Sequence, residues 1–111
     1  MSDPEIIEND RSKEHFAVIP ASIVQSDLEA QTIPLNEIWY ITEVTTSVPN
    51  DVLSYALIKF GSDVIFTAYT DRVLRLNKQL TGDDVKTLTI ELKNGTATST
   101  PMGLKYSAVK L

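Results

Sequence analysis

Between His15 and Leu111, short apolar runs and turn-forming clusters succeed one another at a spacing that suits strands and is too close for helices. The clusters are Pro34-Leu35-Asn36, Pro49-Asn50-Asp51, Gly61-Ser62, Thr81-Gly82-Asp83-Asp84 and Asn94-Gly95. Proline cannot donate to a ladder, glycine accepts a positive φ, and asparagine and aspartate bond their local backbone, so each cluster favours a reversal. The intervening runs are rich in valine, isoleucine, threonine and aromatic residues, which fit a pleated, half-buried surface.

Residues 85–93 alternate most cleanly, with Leu88, Ile90 and Leu92 on one face and Thr87, Thr89, Glu91 and Lys93 on the other. Residues 37–48 are the most apolar segment. Ile38, Tyr40, Thr42, Val44 and Thr46 fall on one side and Trp39 and Ile41 on the other, which predicts a central strand with a buried, structural Trp39. Residues 53–60 and 63–69 flank Gly61-Ser62, the pattern of a hairpin with a type II′ turn. Asn94-Gly95 reads as another tight turn. Further strands are expected at 16–24, with Pro20 at an edge or bulge, at 29–33, and at 73–80 with Leu74, Leu76 and Leu80 on one parity. A last strand turns Met102, Leu104, Tyr106 and Ala108 inward. The sum is an all-β chain, a single antiparallel β-sandwich of about eight strands, of jelly-roll or Greek-key type, with an immunoglobulin-like sandwich as the main competitor.

A chain of 111 residues builds one core. The sandwich domain is expected over 15–111, behind a flexible N-terminal arm at 1–14 in which charged residues surround only two apolar anchors, Ile6 and Ile7. Ile6, Ile7 and the neighbouring Phe16 are therefore the candidate partner-binding residues.

Composition argues against several kinds of work. The absence of cysteine excludes disulfides, thiolate nucleophiles and sulfur-bound metals. A net charge of -5, with the basic residues scattered, opposes binding to nucleic acid. No apolar run approaches the roughly 18 residues of a membrane-spanning helix and no secretion signal opens the chain, so a soluble, cytoplasmic protein without membrane partners is expected. His15 is the single histidine, which rules out a histidine-pair metal site and leaves any Ser-His-Asp triad dependent on one residue beside the arm. Asp51, Asp63, Asp71, Asp83 and Asp84 could bind calcium, and Asp83-Asp84 with Glu37 and Glu43 could suggest a glycosidase. Local backbone bonding explains the turn aspartates more simply, and short loops leave little material for a cleft. No catalytic residue, metal site or cofactor is therefore expected. Trp39, Tyr40, Tyr55, Tyr69 and Tyr106 could stack on sugars, although large rings in strands usually pack in a core. Asn94-Gly95-Thr96 fits the glycosylation pattern, but a turn accounts for it.

The segment Thr32-Ile33-Pro34-Leu35-Asn36-Glu37-Ile38-Trp39-Tyr40-Ile41, with Leu80-Thr81-Gly82-Asp83-Asp84 and the run from Leu88 through Asn94, resembles small β-sandwich virion proteins of tailed phages, most nearly jelly-roll capsid decoration, or cement, proteins. The resemblance covers most of residues 29–111 and excludes the arm. It implies a non-enzymatic bacteriophage protein at the capsid surface of the virion. Such a protein binds the major capsid protein lattice, often as a homo-oligomer such as a trimer, and stiffens it against internal pressure. A carbohydrate- or receptor-binding module and a tail or fibre adaptor are the alternatives.

Overall fold

The computed structural model describes residues 9–51 and 53–111. Eight strands form in chain order: β1 (Lys13–Ile19), β2 (Val24–Thr32), β3 (Ile38–Ser47), β4 (Tyr55–Phe60), β5 (Asp63–Ala68), β6 (Arg72–Thr81), β7 (Thr87–Lys93) and β8 (Thr100–Lys110). They make two four-stranded antiparallel sheets, ordered β1-β8-β3-β6 and β2-β7-β4-β5. Each strand of the first half pairs with its counterpart counted from the other end, β1 with β8, β2 with β7, β3 with β6 and β4 with β5. This is a long hairpin rolled on itself, the jelly roll, which decides against the immunoglobulin-like order.

Most of the expected alternation is present. In β8, Met102, Leu104, Tyr106 and Ala108 are buried, as are Leu88, Ile90 and Leu92 of β7. With Ile19, Trp39, Ile41, Val44 and Ile58 they fill one core between the sheets. The β4–β5 hairpin turns at Gly61-Ser62, and of that pair only Gly61 has a positive φ, of 64°, the signature of a type II′ turn.

Several expectations need correction. β1 ends at Ile19, with Pro20 in the turn beyond it, and β2 starts at Val24, five residues earlier than read. β3 keeps neither of its expected faces. Its register slips between Ile41 and Glu43 against both neighbours, so Trp39 and Ile41 point inward before the slip, and Val44 and Thr46 after it. One bulge residue flips every side chain beyond it. Thr89 and Glu91, expected on a solvent face of β7, are buried because β7 lies between β2 and β4 and their side chains cover it. Asn94-Gly95 is not a two-residue turn but the start of a longer connection over 94–99. The sheet also reaches into the expected arm. Lys13 and Glu14 belong to β1, the Arg11 amide donates to the Ala108 carbonyl at 2.9 Å, and Asp10 bridges Val109. Residues 1–8, including Ile6 and Ile7, lie outside the described residues.

Trp39 is 3% exposed; its indole N–H donates to Glu37 at 3.1 Å, and the Arg11 guanidinium lies 5.7 Å from its ring centroid. Removing this ring leaves a cavity, so Trp39→Ala is expected to cost about 3 to 5 kcal/mol in chemical denaturation, and a loss under about 1 kcal/mol would contradict a core role.

Candidate functional site

Four of the seven carboxylates that suggested chemistry are engaged in holding the backbone of turns and loops. Asp83 Oδ1 accepts from the amides of Val85 and Lys86 at 3.0 and 2.8 Å, and these bonds hold its carboxyl below the usual range. Asp84, Asp71 and Asp51 accept from the amides of Leu35, Val48 and Leu53 at 2.7, 2.8 and 2.8 Å. Asp63 is exposed at the start of β5. Glu37 holds the Trp39 indole, and Glu43 is exposed opposite Arg75. His15 is half-buried, with Nδ1 4.0 Å from Glu29. Among the described residues no group of three or more potential metal ligands converges, and no helix is long and apolar enough to cross a membrane.

The aromatics separate. Tyr106 is fully buried, and burial pushes its hydroxyl up to about 12. Tyr69 lies beyond the end of β5 and is 60% exposed. The next residue in the chain, Thr70, helps line an open hollow of about 500 Å³ with Ser47, Val48, Pro49, Asn50, Asp71 and Pro101. Asn94, the glycosylation candidate, is fully buried, and its side-chain nitrogen donates to the carbonyls of Ile19 and Thr98, both at 2.8 Å. A glycan has no place there.

On the outer face of the second sheet a carboxylate is held tightly. Glu91 accepts from the Tyr55 hydroxyl at 2.6 Å and lies 3.3 Å from Lys59 Nζ. Burial alone would raise its pKa, but the Tyr55 bond and the Lys59 charge together hold it below the ordinary glutamate value. Tyr55 shifts the other way, pushed up to about 12 by burial and by Glu91. Two donors on one buried carboxylate make a structural clasp between β4 and β7.

The one partner-binding candidate within the described residues is Phe16. It sits on the outward face of β1, at the edge of the first sheet, and is 49% exposed. Its ring lies over Gly103 of β8, where a Cβ would run into both the ring and the His15 carbonyl. Two residues on, Val18 is 62% exposed and pairs with the exposed Pro101. Phe16 and Val18 of the edge strand β1, with Pro101 of the adjacent β8, thus form a small apolar strip beside the point where the chain leaves the arm. Sequence reasoning reached Phe16 through its closeness to the arm. It missed Val18, Pro101 and Gly103, for which the available signal was the shared parity of Phe16 and Val18 and an outward glycine between Met102 and Leu104.

The clasp at Glu91 has a pH signature. A glutamate with a lowered folded pKa stabilises fully above its unfolded value, and that contribution disappears as pH falls through the folded one. Glu91→Gln is therefore expected to melt below the parent at neutral pH, with the gap closing as pH falls through the glutamate range. A gap unchanged down to low pH would contradict the clasp.

No protein-family model and no curated protein sequence matches the chain. Among solved structures, one described as "Structure of infectious bursal disease virus Gx strain" aligns with 14% identity and a TM-score of 0.33, over 93% of this chain and 32% of the viral one. The chain thus spans about a third of that viral chain's length, and a likeness at this score decides neither fold nor function.

Proposed function

We propose that this chain is a non-enzymatic structural protein of a virion, one that attaches to the surface of an assembled capsid lattice and stiffens it. The observation that carries the reading is the apolar strip that Phe16 and Val18 of the first strand form with Pro101 of the last, immediately after the arm. Jelly rolls serve both as capsid and as lectin domains. The turn carboxylates here bond backbone amides, which favours surface attachment over chemistry. The arm adds Ile6 and Ile7, whose burial on a neighbouring subunit would contribute about 1.5 to 3 kcal/mol each. A partner of this kind is the major capsid protein lattice.

Because residues 10–14 already join the sheet, the informative deletion is 1–8. Its expected effect is an unchanged melting temperature and weaker sedimentation with emptied phage heads. Full-length protein that fails to sediment with such heads would contradict the reading.

The exposed Tyr69, next in the chain to Thr70 of the open hollow, favours a second reading as a sugar-binding module. Trp39 is too deeply buried to report such binding by fluorescence. A glycan array probed with parent and Tyr69→Ala separates the two readings: glycan retention that depends on Tyr69 would favour the lectin.

A further inference from the structure

Among the described residues, four strands form the open edges of the two sheets, β1 and β6 in the first, β2 and β5 in the second. An open edge recruits another strand unless bulges, charges or twisted backbone spoil it. Three of the four are spoiled. β2 has two register breaks and positive φ at Asp27 and Glu29. β6 carries an extra residue opposite the Ile41–Glu43 step, a positive φ at Asn77, and the cations Arg72, Arg75 and Lys78. β5 starts on Asp63 and breaks register opposite Ile58 and Lys59.

β1 has no bulge and no twisted backbone, and its charged residues, Lys13 and Glu14, are confined to its first two positions. Seven consecutive residues, from Lys13 to Ile19, pair with β8 in unbroken register, and no residue of β1 has a positive φ. Its outward face ends in Phe16 and Val18, 49% and 62% exposed. Charge points to the occupant. Copies of a chain with net charge -5 repel unless they meet where carboxylates are few. Residues 15–19 and their β8 partners at 100–104 contain no carboxylate.

We propose that β1 pairs antiparallel with β1 of a second copy about a two-fold axis through Ala17, joining two first sheets into one continuous sheet. In this register Phe16 opposes the partner subunit's Val18, and the symmetry repeats the contact, giving two aromatic–β-branched pairs on the outer face. Glu14 then comes opposite the partner subunit's Pro20, beyond the ladder. The register is self-complementary, which suits a second copy better than an unrelated strand. The pairing is a property of the isolated protein and does not rest on the capsid reading.

Sedimentation equilibrium of the full chain from micromolar to millimolar concentration is expected to show a dimer, not the trimer that the family resemblance implies. Val18→Lys, at an exposed site, is expected to weaken the dimer at least about tenfold while leaving the melting temperature of dilute protein unchanged. Since the chain has no cysteine, mixing Phe16→Cys with Val18→Cys under mild oxidation is expected to give a mixed disulfide, and neither variant alone should form one. Directly opposed residues lie about 5 Å apart, whereas pairs two residues out of register exceed the roughly 7 Å that a disulfide spans. A monomer at every concentration, a trimer, a dimer indifferent to Val18→Lys, or disulfides formed equally by either variant alone would overturn the proposal.

Discussion

The structure depends on one buried amide. Asn94 leaves β7 with its side chain fully enclosed, and all four of its hydrogen-bonding positions are filled. The nitrogen donates to the carbonyls of Ile19 and Thr98, and Oδ1 accepts from the Thr96 amide at 2.9 Å and the Thr96 hydroxyl at 2.7 Å. Its backbone N–H donates to the Ile23 carbonyl at 3.0 Å, and the next residue, Gly95, donates to the buried Ser54 hydroxyl at 2.9 Å. Asn94 therefore fixes the end of β1, the turn at 20–23 and the 94–99 connection, and Gly95 beside it adds Ser54 at the approach to β4. A buried polar network satisfied this fully is rigid, and leaving any member unpaired is costly.

A second clasp holds the same side of the sandwich at its other end. The Gln31 side-chain nitrogen donates to the Tyr106 hydroxyl at 2.8 Å and to the Arg11 carbonyl at 2.9 Å, tying β2 to β8 and to the approach of β1. Arg11 also covers Trp39. β1 is thus pinned at both ends, by Arg11 and Gln31 before it and by Asn94 after it. The sequence between them is free of bulges, so Phe16 and Val18 are presented on a straight, fixed edge. Rigidity of this kind lowers the entropic cost of docking, as the proposed surface attachment would require.

Legibility followed the local pairing geometry. β7 and β8 could be read because their inward residues keep a strict period of two, and the β4–β5 hairpin because Gly61-Ser62 marks its turn. β2 could not: with bulges on either side of Leu28, its half-buried residues Gln25, Leu28 and Gln31 recur every third position, a period that matches no regular strand. β3 was placed correctly, but its faces were misread because the slip at Thr42 is invisible without neighbours. Asn94-Gly95 has the composition of a tight turn, and only the packing of three other segments around it reveals a hub. The candidate site was legible at Phe16 alone. Pro101 and Gly103 join Phe16 and Val18 through the pairing of the first strand with the last, which periodicity cannot encode.

The most direct test of the Asn94 constraint is the thermal stability of Asn94→Asp, an exchange of nearly equal volume. It removes both donors and turns a carboxylate toward the Ile19 and Thr98 carbonyls. If the amide holds the loops and the end of β1 together, stability should fall by at least about 3 kcal/mol, lowering the melting temperature by more than about 12 °C near neutral pH. A variant that melts within about 2 °C of the parent would show that the sandwich is held without it, and would contradict the account.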